Sequence, residues 1–82
     1  MKKIIIYSKN LCGYCTMAKA WLNNKDIQYE EISIEEPEIR QKFMKDYPHL
    51  RQMPQIFING ENIGGYHELE KWLSINSFNE DF

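Results

Sequence analysis

Cys12 and Cys15 are the only cysteines of the chain, and Gly13 and Tyr14 separate them. Two thiols at this spacing can do two-electron chemistry. One sulfur, as thiolate, attacks a disulfide; its neighbour then attacks the mixed disulfide and releases the target. The surroundings favour the first as attacker. An apolar run ends just ahead of Cys12 and a helical pattern starts just after it, so Cys12 falls at a helix N-cap. There, unpaired N–H groups and the positive end of the helix dipole stabilise negative charge on sulfur. Lys9, three residues upstream, adds positive charge. Two other readings stay open on the motif alone: a pair of buried, inert cysteines, or half of a zinc site. Zinc wants four ligands, and the histidines available, His49 and His67, are not at the usual spacing of about three to five residues.

The elements that position this pair can be traced from the pattern of apolar residues. Lys3 to Tyr7 is a β-branched apolar run without alternation, which predicts a strand covered on both faces. Tyr14, Met17, Ala18, Trp21 and Leu22 form a helical stripe that Asn23-Asn24-Lys25-Asp26 terminates. Ile27 to Ile34 reads as a second strand. Glu36-Pro37 opens a second helix, with Ile39, Phe43, Met44 and Tyr47 on its apolar face and Pro48 as its stop. Gln55 to Ile58 reads as a strand, Asn59-Gly60 as a hairpin turn, and Glu61 to Ile63 as the returning strand. After Gly64-Gly65, Leu69, Trp72 and Leu73 mark a last helix to about Ile75, and the chain closes in a short polar tail, residues 76–82. The order is β-α-β-α-β-β-α. A right-handed crossover makes the first two strands parallel, and the hairpin adds an antiparallel pair. The expectation is an α/β fold: a four-stranded mixed sheet flanked by helices on both faces.

The totals bound the function. At 82 residues this is one domain, 1–75, ahead of the tail. Ten basic against twelve acidic residues give a net charge of -2, with no drive toward nucleic acid or anionic membrane. The basic-then-apolar start, Met1 to Tyr7, is too short for a signal-peptide core, and no stretch approaches a membrane span. Two cysteines cannot staple a secreted scaffold. A cytoplasmic protein is expected.

With those residues in view, the chain resembles the glutaredoxins of the thioredoxin superfamily. Four segments carry the resemblance: Tyr7-Ser8-Lys9 ahead of Cys12-Gly13-Tyr14-Cys15, Met53-Pro54-Gln55-Ile56-Phe57-Ile58, the Asn59-Gly60 hairpin, and Ile63-Gly64-Gly65-Tyr66. The resemblance implies a thioredoxin-like fold. It makes Pro54 a cis-proline that turns the Met53 backbone toward Cys12. Lys9 and Arg51 become partners for the glycine carboxylate of glutathione, Tyr14 and Gln52 line its groove, and the Tyr66 and His67 amides after Gly65 take the γ-glutamyl carboxylate. Trp21 and Trp72 are read as packing, His49 as a surface loop residue. The sequence departs from the family pattern at Gly13, where proline is common, at Gln52-Met53 in place of Thr-Val, and at His67 in place of aspartate. Glu68 is the carboxylate at hand to stand in for that aspartate.

The implied function is a glutathione-disulfide oxidoreductase of electron transport and cell redox homeostasis. Cys12 attacks, Cys15 resolves, and glutathione reduces the resulting disulfide. The expected partners are glutathione and disulfide-containing or glutathionylated proteins, ribonucleotide reductase among them, for a monomer that binds neither nucleic acid nor membrane. No metal is expected. Two alternatives accompany this reading. One is a thioredoxin-like donor reduced by a flavoprotein reductase. The other is a [2Fe–2S] module in which Cys12 of two subunits and two glutathiones hold the cluster, a reading that the small residue Gly13 motivates.

Overall fold

A computed structural model describes residues 3–76. Strand β1 covers Ile4–Ser8, helix α1 Gly13–Asn24, strand β2 Glu30–Ser33, helix α2 Pro37–Asp46, strand β3 Gln55–Ile58, strand β4 Glu61–Gly64 and helix α3 Tyr66–Asn76. The sheet runs β2-β1-β3-β4. β1 pairs parallel with β2, and β3 pairs antiparallel with both β1 and β4. This is the element order and the mixed sheet that the sequence predicts.

The side-chain alternation of β1 divides the molecule. Ile4, Ile6 and Ser8 point to one face and are buried; Ile5 and Tyr7 point to the other and are half-buried. On the first face Ile4 and Ile6 join Ile56 and Ile58 of β3, Ala18 and Leu22 of α1 and Leu69 of α3 in one apolar cluster. Opposite, Tyr7, Phe57 of β3, Phe43 of α2 and the following Tyr47 form an aromatic cluster, with Tyr7 and Phe43 rings 4.7 Å apart. Edge-on and tilted ring contacts of this kind add to the area they bury. The central strand β3 is therefore covered on both faces.

Local details correct the expected boundaries. β2 begins at Glu30, not Ile27. The Ile27 N–H still donates to the Leu22 carbonyl at 2.9 Å, and Asp26 turns the chain with φ 57°, so the first residues after α1 finish the helix before any pairs with β1. Ile27 and Tyr29 nevertheless pack on the core. Ile34 lies just past the strand, its N–H donating to Ser8 O at 2.8 Å. β4 extends to Gly64 and α3 to Asn76, so Ser74 to Asn76 are helical; the polar tail expected beyond, residues 77–82, lies outside the described residues. The hairpin at Asn59-Gly60 has positive φ at both positions, 53° and 87°, the backbone of a twisted two-residue turn that Asn-Gly tolerates. Its tip is tied to the first strand by Asn59 N–H to Lys3 O at 2.8 Å and Lys3 N–H to Asn59 Oδ1 at 2.9 Å.

Candidate active site

β1 delivers the chain to the C-terminal edge of the sheet, and four residues turn it into α1. Leu11 makes the turn at φ 54°, a left-handed conformation that costs a branched side chain energy, and its side chain is fully exposed. The Asn10 N–H anchors the loop on Glu35 Oε2 at 3.0 Å. Cys12 follows with extended φ and ψ, -119° and 108°, and is the N-cap of α1. The N–H of Cys15 donates to Cys12 Sγ at 3.1 Å, so the orphan amide of the first turn points at the sulfur. The N–H and hydroxyl of Thr16 both donate to Cys12 O.

The two cysteines are disulfide-bonded, with Cα atoms 5.2 Å apart. They are not equivalent. Cys15 is buried beneath the helix start, whereas Cys12 is half-buried and is the sulfur a second molecule can reach. The Met53–Pro54 bond is cis, Pro54 is buried, and the Met53 carbonyl oxygen lies 3.5 Å from Cys12 Sγ. The loop carrying them is pinned from below: the buried Gln55 donates its side-chain amide to Gln52 O at 2.8 Å and accepts from Asn62 at 3.1 Å.

The start of α3 closes one side. A Cβ on Gly65 would stand 3.3 Å from the Pro54 carbonyl, so glycine permits the close approach of α3 to the proline loop. The Gly65 N–H donates to Glu68 Oε1 at 2.9 Å. That is the return arm of a capping box, and with the backbone N–H of Glu68 itself it holds this carboxyl below the usual range. Glu68 thus ties down the start of α3, a role its reading as a stand-in carboxylate did not include. Tyr14, Tyr66 and His67 meet here, with ring centroids 6.0 Å apart for the tyrosines and 5.3 Å for Tyr14 and His67. Cys12, Met53, Pro54, Gly65, Tyr14, Tyr66 and His67 are therefore linked through these contacts.

The basic residues divide. Lys9 is exposed and lines a cleft of about 550 Å³ on the β2 side of the motif, shared with Cys12 and Cys15. Arg51 is also exposed but lines a separate groove along α2. Gln52 exposes its side chain beside Met53. The same β2-side cleft holds residues that sequence reasoning missed. Glu31 Oε2 accepts from the buried Ser8 hydroxyl and from Lys19 Nζ, both at 2.7 Å. Lys19 first and Ser8 second hold the Glu31 carboxyl below its ordinary value. The signal was present: Ser8 sits in the inward register of Ile4 and Ile6, and a polar group at a buried position demands a partner. Lys19 stands four residues after Cys15, on the same helix face.

A cysteine pair at the first strand-to-helix junction of a four-stranded mixed sheet, with a cis-proline against its outer sulfur, defines a thioredoxin-like fold with a redox-active centre. The glutaredoxin family model matches residues 4–63, and the chain belongs to the glutaredoxin family. Glutaredoxin 1 of Rickettsia conorii is 41% identical over 64 residues; the match covers 76% of this chain and 63% of that relative's length. The crystal structure of glutaredoxin 1 from Francisella tularensis, complexed with cacodylate, superposes with a TM-score of 0.80 at 33% identity, covering 98% of this chain and 100% of the other. The buckwheat glutaredoxin–glutathione complex gives a TM-score of 0.70 at 26% identity, covering 89% and 70%. Among the described residues no helix is long and apolar enough to cross a membrane, and no group of three or more His, Cys, Asp or Glu could hold a metal ion. A [2Fe–2S] cluster takes four thiolates. The alternative reading takes two of these from Cys12 of two subunits and two from glutathione, and Cys12 is the half-buried, reachable sulfur of the pair.

Proposed function

We propose that the protein is a glutathione-dependent thiol–disulfide oxidoreductase acting on protein disulfides and on mixed disulfides of proteins with glutathione. The observation that carries this is the asymmetry of the pair: a reachable Cys12 sulfur that accepts from the Cys15 N–H in the first turn of α1, backed by a buried Cys15. In the reduced enzyme the Cys12 thiolate attacks a substrate disulfide and expels one thiolate. With a glutathionylated target the protein thiol leaves, and a free glutathione thiolate then takes the glutathionyl group from Cys12 as glutathione disulfide. With a protein disulfide, the Cys15 thiolate attacks Cys12 Sγ and releases the second target thiol, which leaves the enzyme in the Cys12–Cys15 disulfide form. Two glutathiones restore the dithiol, so two electrons pass from two thiols to one disulfide in each cycle.

Glutathione is assigned to the surface between Met53 and the start of α3. The Met53 backbone pairs with its extended chain, Pro54 and Gly65 keep that surface open, and Tyr14 and Gln52 flank it. The Tyr66 and His67 amides receive the γ-glutamyl carboxylate at a helix N-terminus. Lys9 and Arg51 approach from two sides for the glycine carboxylate. The buckwheat complex with glutathione supports the assignment by likeness of fold. Ribonucleotide reductase belongs among the acceptors, and the protein is proposed to work as a monomer in the cytoplasm. The test is NADPH oxidation coupled through glutathione reductase, with a glutathione mixed disulfide as substrate. Turnover supports the reading; turnover only with a flavoprotein thioredoxin reductase in place of glutathione overturns it.

A further inference from the structure

The groove along α2 sets Arg51 beside an apolar hollow and a second arginine, Arg40, neither of which the glutathione reading uses. It is a concavity of about 260 Å³ between α2 and the loop that leads to Met53. Phe43, Tyr47 and Leu50 line it, and Met44 stands open at 58% exposure. Arg40 and Arg51 border it, and no carboxylate lines it. Among the described residues neither guanidinium has an ion-pair partner; the ion pairs there are Lys19–Glu31 and Lys42–Asp46. On a chain of net charge -2, two unpaired arginines around an apolar hollow are a local reversal of sign. The volume is below that of sites for drug-sized molecules, roughly 300–1,000 Å³, and suits a single large side chain. An exposed methionine at the rim is a soft surface that adapts to its guest.

We propose that this groove docks a segment of a protein substrate in which one large apolar side chain lies between carboxylates. The apolar side chain enters the hollow, and Arg40 and Arg51 take the flanking charges. Glutathione has carboxylates but no large apolar side chain, and a net charge of -2 gives no drive toward a polyanionic nucleic acid. Arg51 is two residues from Met53, whose carbonyl lies against Cys12 Sγ. A chain crossing the groove therefore reaches the redox sulfur within a few residues, at about 3.3–3.6 Å per extended residue. That the docked segment belongs to a disulfide substrate rests on the proposed oxidoreductase function; that the groove binds acidic apolar peptide does not.

The experiment separates the two. The probe is a cysteine-free, acetylated peptide with one phenylalanine between glutamates, titrated into the oxidised full-length protein and followed by amide NMR. Shifts should map to α2 and to residues 48–51. Arg40→Glu, which lies outside the glutathione surface, should weaken binding about tenfold, since it removes one exposed attraction and adds a repulsion. Arg40→Lys should restore most of it, and glutathione mixed disulfide turnover should be unchanged in both variants. No shifts at the groove, or equal binding of a lysine-for-glutamate peptide, would overturn the proposal. So would groove shifts that depend on protein concentration without peptide, which would make a second copy the occupant. A protein that binds the peptide but shows no glutathione turnover would keep the groove and reject the glutathione-dependent reading.

Discussion

Removing the Glu31 carboxylate should cost more stability than its exposure suggests. Glu31→Ala leaves the Ser8 hydroxyl, 3% exposed, without its acceptor. An orphaned buried donor costs about 1–3 kcal/mol. The ion pair with Lys19 adds little, because the two side chains are 29% and 38% exposed and solvent screens them, so about 0.5 kcal/mol is allowed for it. The expected loss is about 1.5–3.5 kcal/mol, out of the roughly 4–12 kcal/mol typical for a domain of this length. Glu31→Gln keeps an acceptor for Ser8 and should lose only about 0.5–1 kcal/mol. The pH dependence follows from linkage. Folding lowers the Glu31 pKa below its unfolded value near 4.5, so the contribution is full above that value and is lost as pH falls through the folded one. The gap between wild type and Glu31→Gln should therefore narrow as pH falls from the unfolded value near 4.5 through the lower folded one. Urea unfolding followed by tryptophan fluorescence at pH 7, 5, 4 and 3 measures it. Equal stability of the Ala and Gln variants at pH 7, or a wild-type-to-Gln gap that does not narrow as pH falls below about 4.5, would refute the reasoning.

Further outcomes follow from the same geometry. Cys12→Ser should abolish disulfide reduction, and alkylation of the reduced protein against pH should show the Cys12 thiol titrating below the ordinary cysteine range, because the α1 amides face it; titration at the ordinary value removes that cause. Cys15→Ser should spare reduction of glutathione mixed disulfides and cripple reduction of protein disulfides, and equal loss on both would give Cys15 a different role. Lys9→Ala should raise KM for glutathione more than it lowers kcat, with an effect that shrinks as salt rises, since exposed charges are screened within about 8–10 Å at 0.1–0.15 M. Leu69→Ala empties a fully buried site where α3 meets α1 and the sheet; it should cost about 2.5–4 kcal/mol and lower Tm by roughly 10–30 °C, measured by calorimetry.

Much of this molecule is written in local patterns. The strand-to-helix junction at Cys12, the stop at Pro48 and the Asn59-Gly60 turn each rest on one residue type at one position, and each stands where the pattern puts it. The start of β2 was not legible in the same way. Ile27 and Tyr29 are apolar because they cover the core, yet pairing waits until Glu30, because the register with Ile5 is a long-range property that apolar content does not carry. The Ser8–Glu31–Lys19 contact was hidden for a related reason: its members come from three elements, and only the sheet order brings them together.

The separation of Lys9 from Arg51 shows what sequence proximity to a motif leaves out. Each flanks a redox segment, Lys9 ahead of Cys12 and Arg51 ahead of Met53. β1 leads into one segment and α2 into the other, and these elements pack on opposite sides of the aromatic cluster formed by Tyr7, Phe43, Tyr47 and Phe57. The two cations therefore border different concavities, Lys9 one that Cys12 also lines and Arg51 the groove along α2. A small thiol peptide can call on either, whereas a protein segment long enough to fill the α2 groove meets Arg51 together with Arg40. On the two proposals Arg51 is shared, and Arg40, which only the groove presents, is the residue whose charge tells the ligands apart.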